Sequence, residues 1–119
     1  MIFYKYPFIW YGELKSHLGN TFPIANLTQY DKLICKKGIK GVRAGAIIWF
    51  IDHDKVIWVP IETFEYLKLA GKKSINIKML QDAEYKLLDL PSKKRRTFLD
   101  TDYNYLFEYW EKEFEETGI

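Results

Sequence analysis

Glu13 and Lys15 stand two apart in the run Phe8-Ile9-Trp10-Tyr11-Gly12-Glu13-Leu14-Lys15, and they carry residue types suited to phosphodiester chemistry. The run is rich in aromatic and β-branched side chains and reads as a strand. On a strand, residues two apart project from the same face. A carboxylate in that position is a hard oxygen donor of the kind Mg²⁺ or Mn²⁺ prefers. An ammonium beside it can orient or deprotonate an attacking water and stabilise the charge that builds on phosphorus. The same two residues also make an ordinary solvated ion pair at a strand end. Glu-x-Lys therefore takes its meaning from what surrounds it.

The elements that would hold this pair can be read along the chain. Ile2 to Tyr6 and Phe8 to Leu14, with Pro7 between them, read as two strands of a hairpin. Ser16 to Thr21 supplies turn residues, and Phe22-Pro23-Ile24 re-enters as a short extended piece. A helix from Asn26 or Thr28 to about Lys37 puts Leu27, Tyr30, Leu33 and Ile34 on one face, with Gly38 as its stop. Ala44 to Ile51 is almost continuously apolar, as expected of a strand buried on both faces. Asp52-His53-Asp54 makes a turn, Lys55 to Val59 returns as a strand, and Pro60 opens a helix reaching Ala70-Gly71. Ser74 precedes or caps Ile75-Asn76-Ile77, with a helical turn at Lys78 to Leu80. Tyr85 to Leu90 reads as a strand, and Pro91 with Lys93 to Arg96 as an exposed loop. Asp102 to Glu116 has helical spacing, with Leu106, Trp110 and Phe114 on one stripe. The order predicts an α/β domain, a mixed sheet flanked by helices.

Size and composition narrow the classes. A chain of 119 residues suits one domain, and 48% hydrophobic content excludes a disordered chain. No apolar run approaches the roughly 18 residues that cross a bilayer. Residues 1–7 show neither a basic leader nor a small-residue cleavage site. Cys35, the single cysteine, excludes an internal disulfide and a cysteine-built zinc centre, and it reads as a buried thiol. These features suit the cytoplasm. The net charge of +2 divides unevenly: residues 1–99 form a basic body, while residues 100–119 hold Lys112 alone against seven acids. A basic body favours phosphate-bearing partners. The acidic segment has three readings: it docks on its own body, repels nucleic acid locally, or meets a basic protein partner.

Several stretches, taken in order, resemble one family. Phe8 to Lys15, then Thr21-Phe22-Pro23-Ile24, then Asn26-Leu27-Thr28-Gln29 through Leu33 are similar to the RecU-type Holliday junction resolvases of Gram-positive bacteria and their phages. In that family a strand ends in Glu-x-Lys, a Ser/Thr-Phe-Pro-Leu segment follows, and a helix then carries a glutamine. Gly41 to Phe50 resembles the family's central buried strand. Pro60 to Phe64 and Gly71-Lys72-Lys73-Ser74-Ile75 resemble its later helix and a Gly-x-Lys-Ser-Ile segment. The likeness covers about residues 2–80 and fades beyond them. It implies a restriction-endonuclease-like fold and a homodimer that cleaves branched DNA with Mg²⁺ or Mn²⁺. In it Glu13 would be the metal ligand, Lys15 the catalytic lysine, and Gln29 a helix residue near the scissile phosphate. The family also has an essential aspartate on the preceding strand, which alignment on Glu13 puts at or just before Met1, and a stalk further upstream. Asp31, Asp52 and Asp54 are the nearest acids in sequence, but they are expected on a helix face and a distal turn.

Lys36, Lys37, Lys40 and Arg43 cluster after the first helix, and Lys93, Lys94, Arg95 and Arg96 form a second run. Each group is read either as a phosphate-contacting surface, with salt-dependent DNA binding, or as solvated charge. Trp10, Trp49, Trp58 and Trp110 read as core. His17, two residues past Lys15, stands as a weaker candidate for lining the same site, and His53 is read as part of a plain hairpin turn over a weak cation ligand. Beside the nuclease stands a second reading: a catalytically inactive, phage-derived nuclease fold. It would bind nucleic acid, or a host protein as an inhibitor of a defence system such as CRISPR, with the acidic helix as a contact surface.

Overall fold

The structure, a computed structural model, describes residues 2–5, 8–81, 85–90, 92–95, 98–101 and 104–117. Five strands form the central sheet: β1 (Ile2–Lys5), β2 (Phe8–His17), β4 (Val42–Phe50), β5 (Lys55–Pro60) and β7 (Leu88–Leu90). The spatial order is β1-β2-β4-β5-β7, with β2 and β4 parallel and the other pairs antiparallel. A second, two-stranded sheet joins β3 (Thr21–Pro23) to β6 (Ser74–Asn76). Helices α1 (Tyr30–Ile34), α2 (Ile61–Leu69) and α3 (Asn104–Thr117) complete the α/β architecture, a mixed sheet flanked by helices.

Alternation along the strands separates two cores. Ala44, Ala46, Ile48 and Phe50 of β4, with Ile57 and Val59 of β5, face Leu33 of α1 and Phe64 and Leu67 of α2. Phe8, Trp10, Ile47, Val56, Trp58 and Leu90 face the opposite way, against Leu106, Phe107 and Trp110 of α3. Strand β4 is thus buried on both sides, as its apolar run predicts. Gly12 and Gly45 are cross-strand partners at the sheet centre. A Cβ on Gly12 would fall 1.8 Å from the Gly45 carbonyl oxygen, so the close approach of β2 and β4 requires glycine there.

Four expectations need correction. The second strand continues through His17, beyond Leu14, because β4 runs beside it in parallel as far as the Phe50 partner of His17. The helix expected over Asn26–Lys37 shrinks to α1. A single 3-10 turn, Ile24–Asn26, precedes it. The N–H groups of Lys36 and Lys37 bond three residues back, to Leu33 and Ile34, before Gly38 turns at φ 80°. Only Leu88–Leu90 of the expected 85–90 strand is extended in the sheet. The expected loop at 93–96 contains β8 (Ser92–Arg95), paired with β9 (Phe98–Thr101), while Pro91 and Arg96 lie outside the described residues.

Candidate functional site

Glu13 and Lys15 sit on the α1-facing side of β2, along with Tyr11 and His17. Glu13 is only 7% exposed, so its carboxylate must find partners within the protein. It has three. Lys15 Nζ lies 3.1 Å from Oε2, the Thr28 hydroxyl donates to the same oxygen over 3.2 Å, and the Gln29 N–H donates to Oε1 over 2.5 Å. Glu13, Lys15 and Gln29 meet, but Gln29 takes part through its backbone at the start of α1. Its side chain forms no cap there. The third donor, Thr28, is in the sequence only an alternative helix start.

The arrangement fixes the short α1 helix to the sheet. One of the N–H groups at the helix start, which has no partner within the helix, is satisfied by a carboxylate, and the negative charge lies at the favourable end of the helix. Lys15 remains 29% exposed, so its ammonium holds Glu13 and still meets solvent. Chemically, the pair offers one buried carboxylate and one part-exposed cation within β2.

The carboxylate is the right donor type for Mg²⁺, but a hard cation needs several oxygen ligands. Both Glu13 oxygens already accept from protein donors. Among the described residues no three His, Cys, Asp or Glu side chains group to hold a metal ion. These residues alone therefore do not form a Mg²⁺ site. Asp31 is exposed on α1, Asp52 accepts the Gly19 N–H over 2.7 Å, and Asp54 occupies a left-handed position at the β4–β5 turn. The β1–β2 register runs from Ile2 opposite Tyr11 to Lys5 opposite Phe8.

The first basic cluster divides. Lys37 binds Glu65 at 2.5 Å, and this hydrogen bond raises its pKa above the ordinary lysine value. Lys36 lies 5.3 Å from the centroid of the Tyr11 ring, and Lys40 5.4 Å from that of Phe114. Arg43 leaves the expected surface group altogether. It is 9% exposed, sits 5.2 Å over Phe8, and pairs with Glu113 at 3.4 Å. Glu113 also binds Lys86 Nζ at 2.6 Å. The acidic segment thus docks on its own body, through a residue that charge counting did not single out. In the second cluster, Lys93, Lys94 and Arg95 lie on β8.

Other residues resolve simply. Trp10, Trp58 and Trp110 are core, and Trp49 packs at its margin. His17 packs edge-on against Phe22 and Phe50, and His53 Nε2 lies 3.0 Å from Asn20 Oδ1. Cys35 is exposed, contrary to the buried thiol expected, because α1 turns only Leu33 fully into the core. Among the described residues no helix is long and apolar enough to cross a membrane. Comparison with protein-family models, curated proteins and solved structures finds no match to this chain.

Proposed function

We propose that this chain is a RecU-type, restriction-endonuclease-like nuclease domain acting on branched DNA, with Glu13 and Lys15 as its reactive pair. The observation that carries the reading is the meeting of Glu13, Lys15 and the Thr28–Gln29 helix start on one face of β2. Lys15 can approach a phosphate from the solvent side while Glu13 fixes its position. An ammonium so placed stabilises negative charge developing on phosphorus. Glu13 would contribute one oxygen to Mg²⁺ or Mn²⁺, and further acid ligands would come from outside the described residues or from the second subunit of a homodimer. Lys36, beside Tyr11 on the face of Glu13 and Lys15, would contact a flanking phosphate.

Competition binding tests the reading. A labelled four-way junction should bind more tightly than linear duplex of the same length, and the affinity should fall as salt rises. Absence of any DNA binding would overturn it.

The inactive-fold reading draws on one observation: both oxygens of Glu13 are occupied in tying down α1. Under that reading junction DNA would be bound but not cut, or the chain would engage a protein of a host defence system in place of DNA.

A further inference from the structure

A recess opens at Leu27 and Tyr30, the residues flanking the Thr28–Gln29 segment that bonds Glu13. Its volume is about 390 Å³, within the size range of small-ligand pockets. Ile24 and Leu27 form its apolar floor, Tyr30 one wall, and Lys68, Lys72 and Lys73 its rim. The floor residues Ile24 and Leu27 are buried, whereas all three lysines are exposed. Lys68 Nζ stands 3.9 Å from the centroid of the Tyr30 ring, and the Lys73 backbone is fixed by the Ile24 N–H, which donates to its carbonyl over 2.9 Å. Lys72 Nζ lies 5.5 Å from the centroid of Tyr85, which does not line the recess. Pairing of Pro23 with Ser74 fixes the same wall from below.

The combination is chemically selective. The exposed lysines Lys68 and Lys73 favour a phosphate, and an apolar floor favours a flat or greasy body attached to it. The two halves together suit a ligand that carries both. Burial, followed by the nearby Glu65 and Asp31 carboxylates, raises the Tyr30 pKa, so its hydroxyl remains a hydrogen-bond donor.

From this geometry we infer that the recess binds one nucleoside monophosphate unit, its base on Ile24 and Leu27 and its phosphate between Lys68 and Lys73. The inference rests on the DNA-acting reading above. In that setting the unit is an unpaired nucleotide of a strand that leaves the Glu13–Lys15 site along the Leu27–Tyr30 segment. A free mononucleotide presents the same chemistry.

The test uses the full chain and a fluorescent single-stranded oligothymidylate, with thymidine monophosphate as competitor. The Lys68→Ala/Lys73→Ala double variant should bind the oligonucleotide about tenfold more weakly at moderate salt. A control double variant, Lys32→Ala/Lys78→Ala, removes equal charge elsewhere and should change binding little. Competition by the monophosphate would show that a single unit suffices, and absence of competition would assign the recess to strand DNA alone. Equal losses in both double variants, or no loss in the first, would overturn the inference. Thermal unfolding confirms that each variant is folded. Loss of junction binding in the wild type would instead count against the nuclease reading itself, so the two failures are separable.

Discussion

At the scale of single residues, Glu13 is asked to serve structure and chemistry together. Replacing it with alanine leaves the Gln29 N–H and the Thr28 hydroxyl without their acceptor, and each such loss costs about 1–3 kcal/mol. Glu13→Ala should therefore lower the urea midpoint clearly, whereas Glu13→Gln keeps an acceptor oxygen and should lower it less. An equal effect of the two would deny the tie between β2 and α1. Gly12→Ala should also destabilise, by about 3 kcal/mol, since its Cβ would overlap the Gly45 carbonyl in a packed sheet. Its measure is the same urea titration or, if folding fails, the soluble yield. The Glu-x-Lys pair was legible from two-residue periodicity alone, and so was its face. That Thr28 would turn to Glu13 was not, because a threonine hydroxyl caps helices and bonds distant carboxylates with the same chemistry. Cys35 was misread for a related reason: one cysteine in a short helix carries no phase of its own, and the helix proved only five residues long. The exposed thiol should react with a bulky thiol reagent in the native protein.

Among the elements, α3 shows most clearly what pattern can and cannot disclose. The stripe Leu106, Trp110 and Phe114 foretold an amphipathic helix, and Leu106 and Trp110 are buried against Phe8 and Trp58. Removing the largest anchor, Trp110→Ala, should cost about 3–5 kcal/mol. The orientation of the acidic face was not legible, since seven acids on one segment give no reason to select Glu113. Tertiary packing selects it, by setting Arg43 and Lys86 on either side. This junction responds to alkali. Burial, the strongest influence on Lys86, would lower its pKa, but the hydrogen bond and charge of Glu113 together outweigh it and the value is raised. Its stabilising contribution is complete below the unfolded-state value near pH 10.4 and fades as pH climbs through the folded value. Tyr109, raised first by burial and further by Glu113, ionises more readily when unfolded, so stability falls above about pH 10 for it as well. Tryptophan fluorescence followed from pH 8 to 11 should report loosening of α3 only in the upper part of that range, and Glu113→Gln should flatten the change. Elements with strong runs, such as β4, were readable end to end. Short ones, such as α1 and β7, take their limits from neighbours that no local pattern names.

For the whole molecule, the opposed charges of body and tail resolve into one folded unit. The tail neutralises Arg43 and Lys86, while Lys68, Lys72 and Lys73 keep a basic surface on the other side of the sheet, near α1 and α2. A DNA strand would thus meet charge on the face that carries Glu13 and Lys15, with α3 on the opposite face. The most direct test is single-turnover cleavage of a four-way junction with Mg²⁺ or Mn²⁺, comparing the wild type with Glu13→Gln and Lys15→Ala. The account predicts metal-dependent nicking by the wild type, reduced at least about a hundredfold in each variant while both still bind the junction. Junction binding with no nicking by the wild type, or nicking that survives both substitutions, would contradict the assignment of Glu13 and Lys15 as a reactive pair.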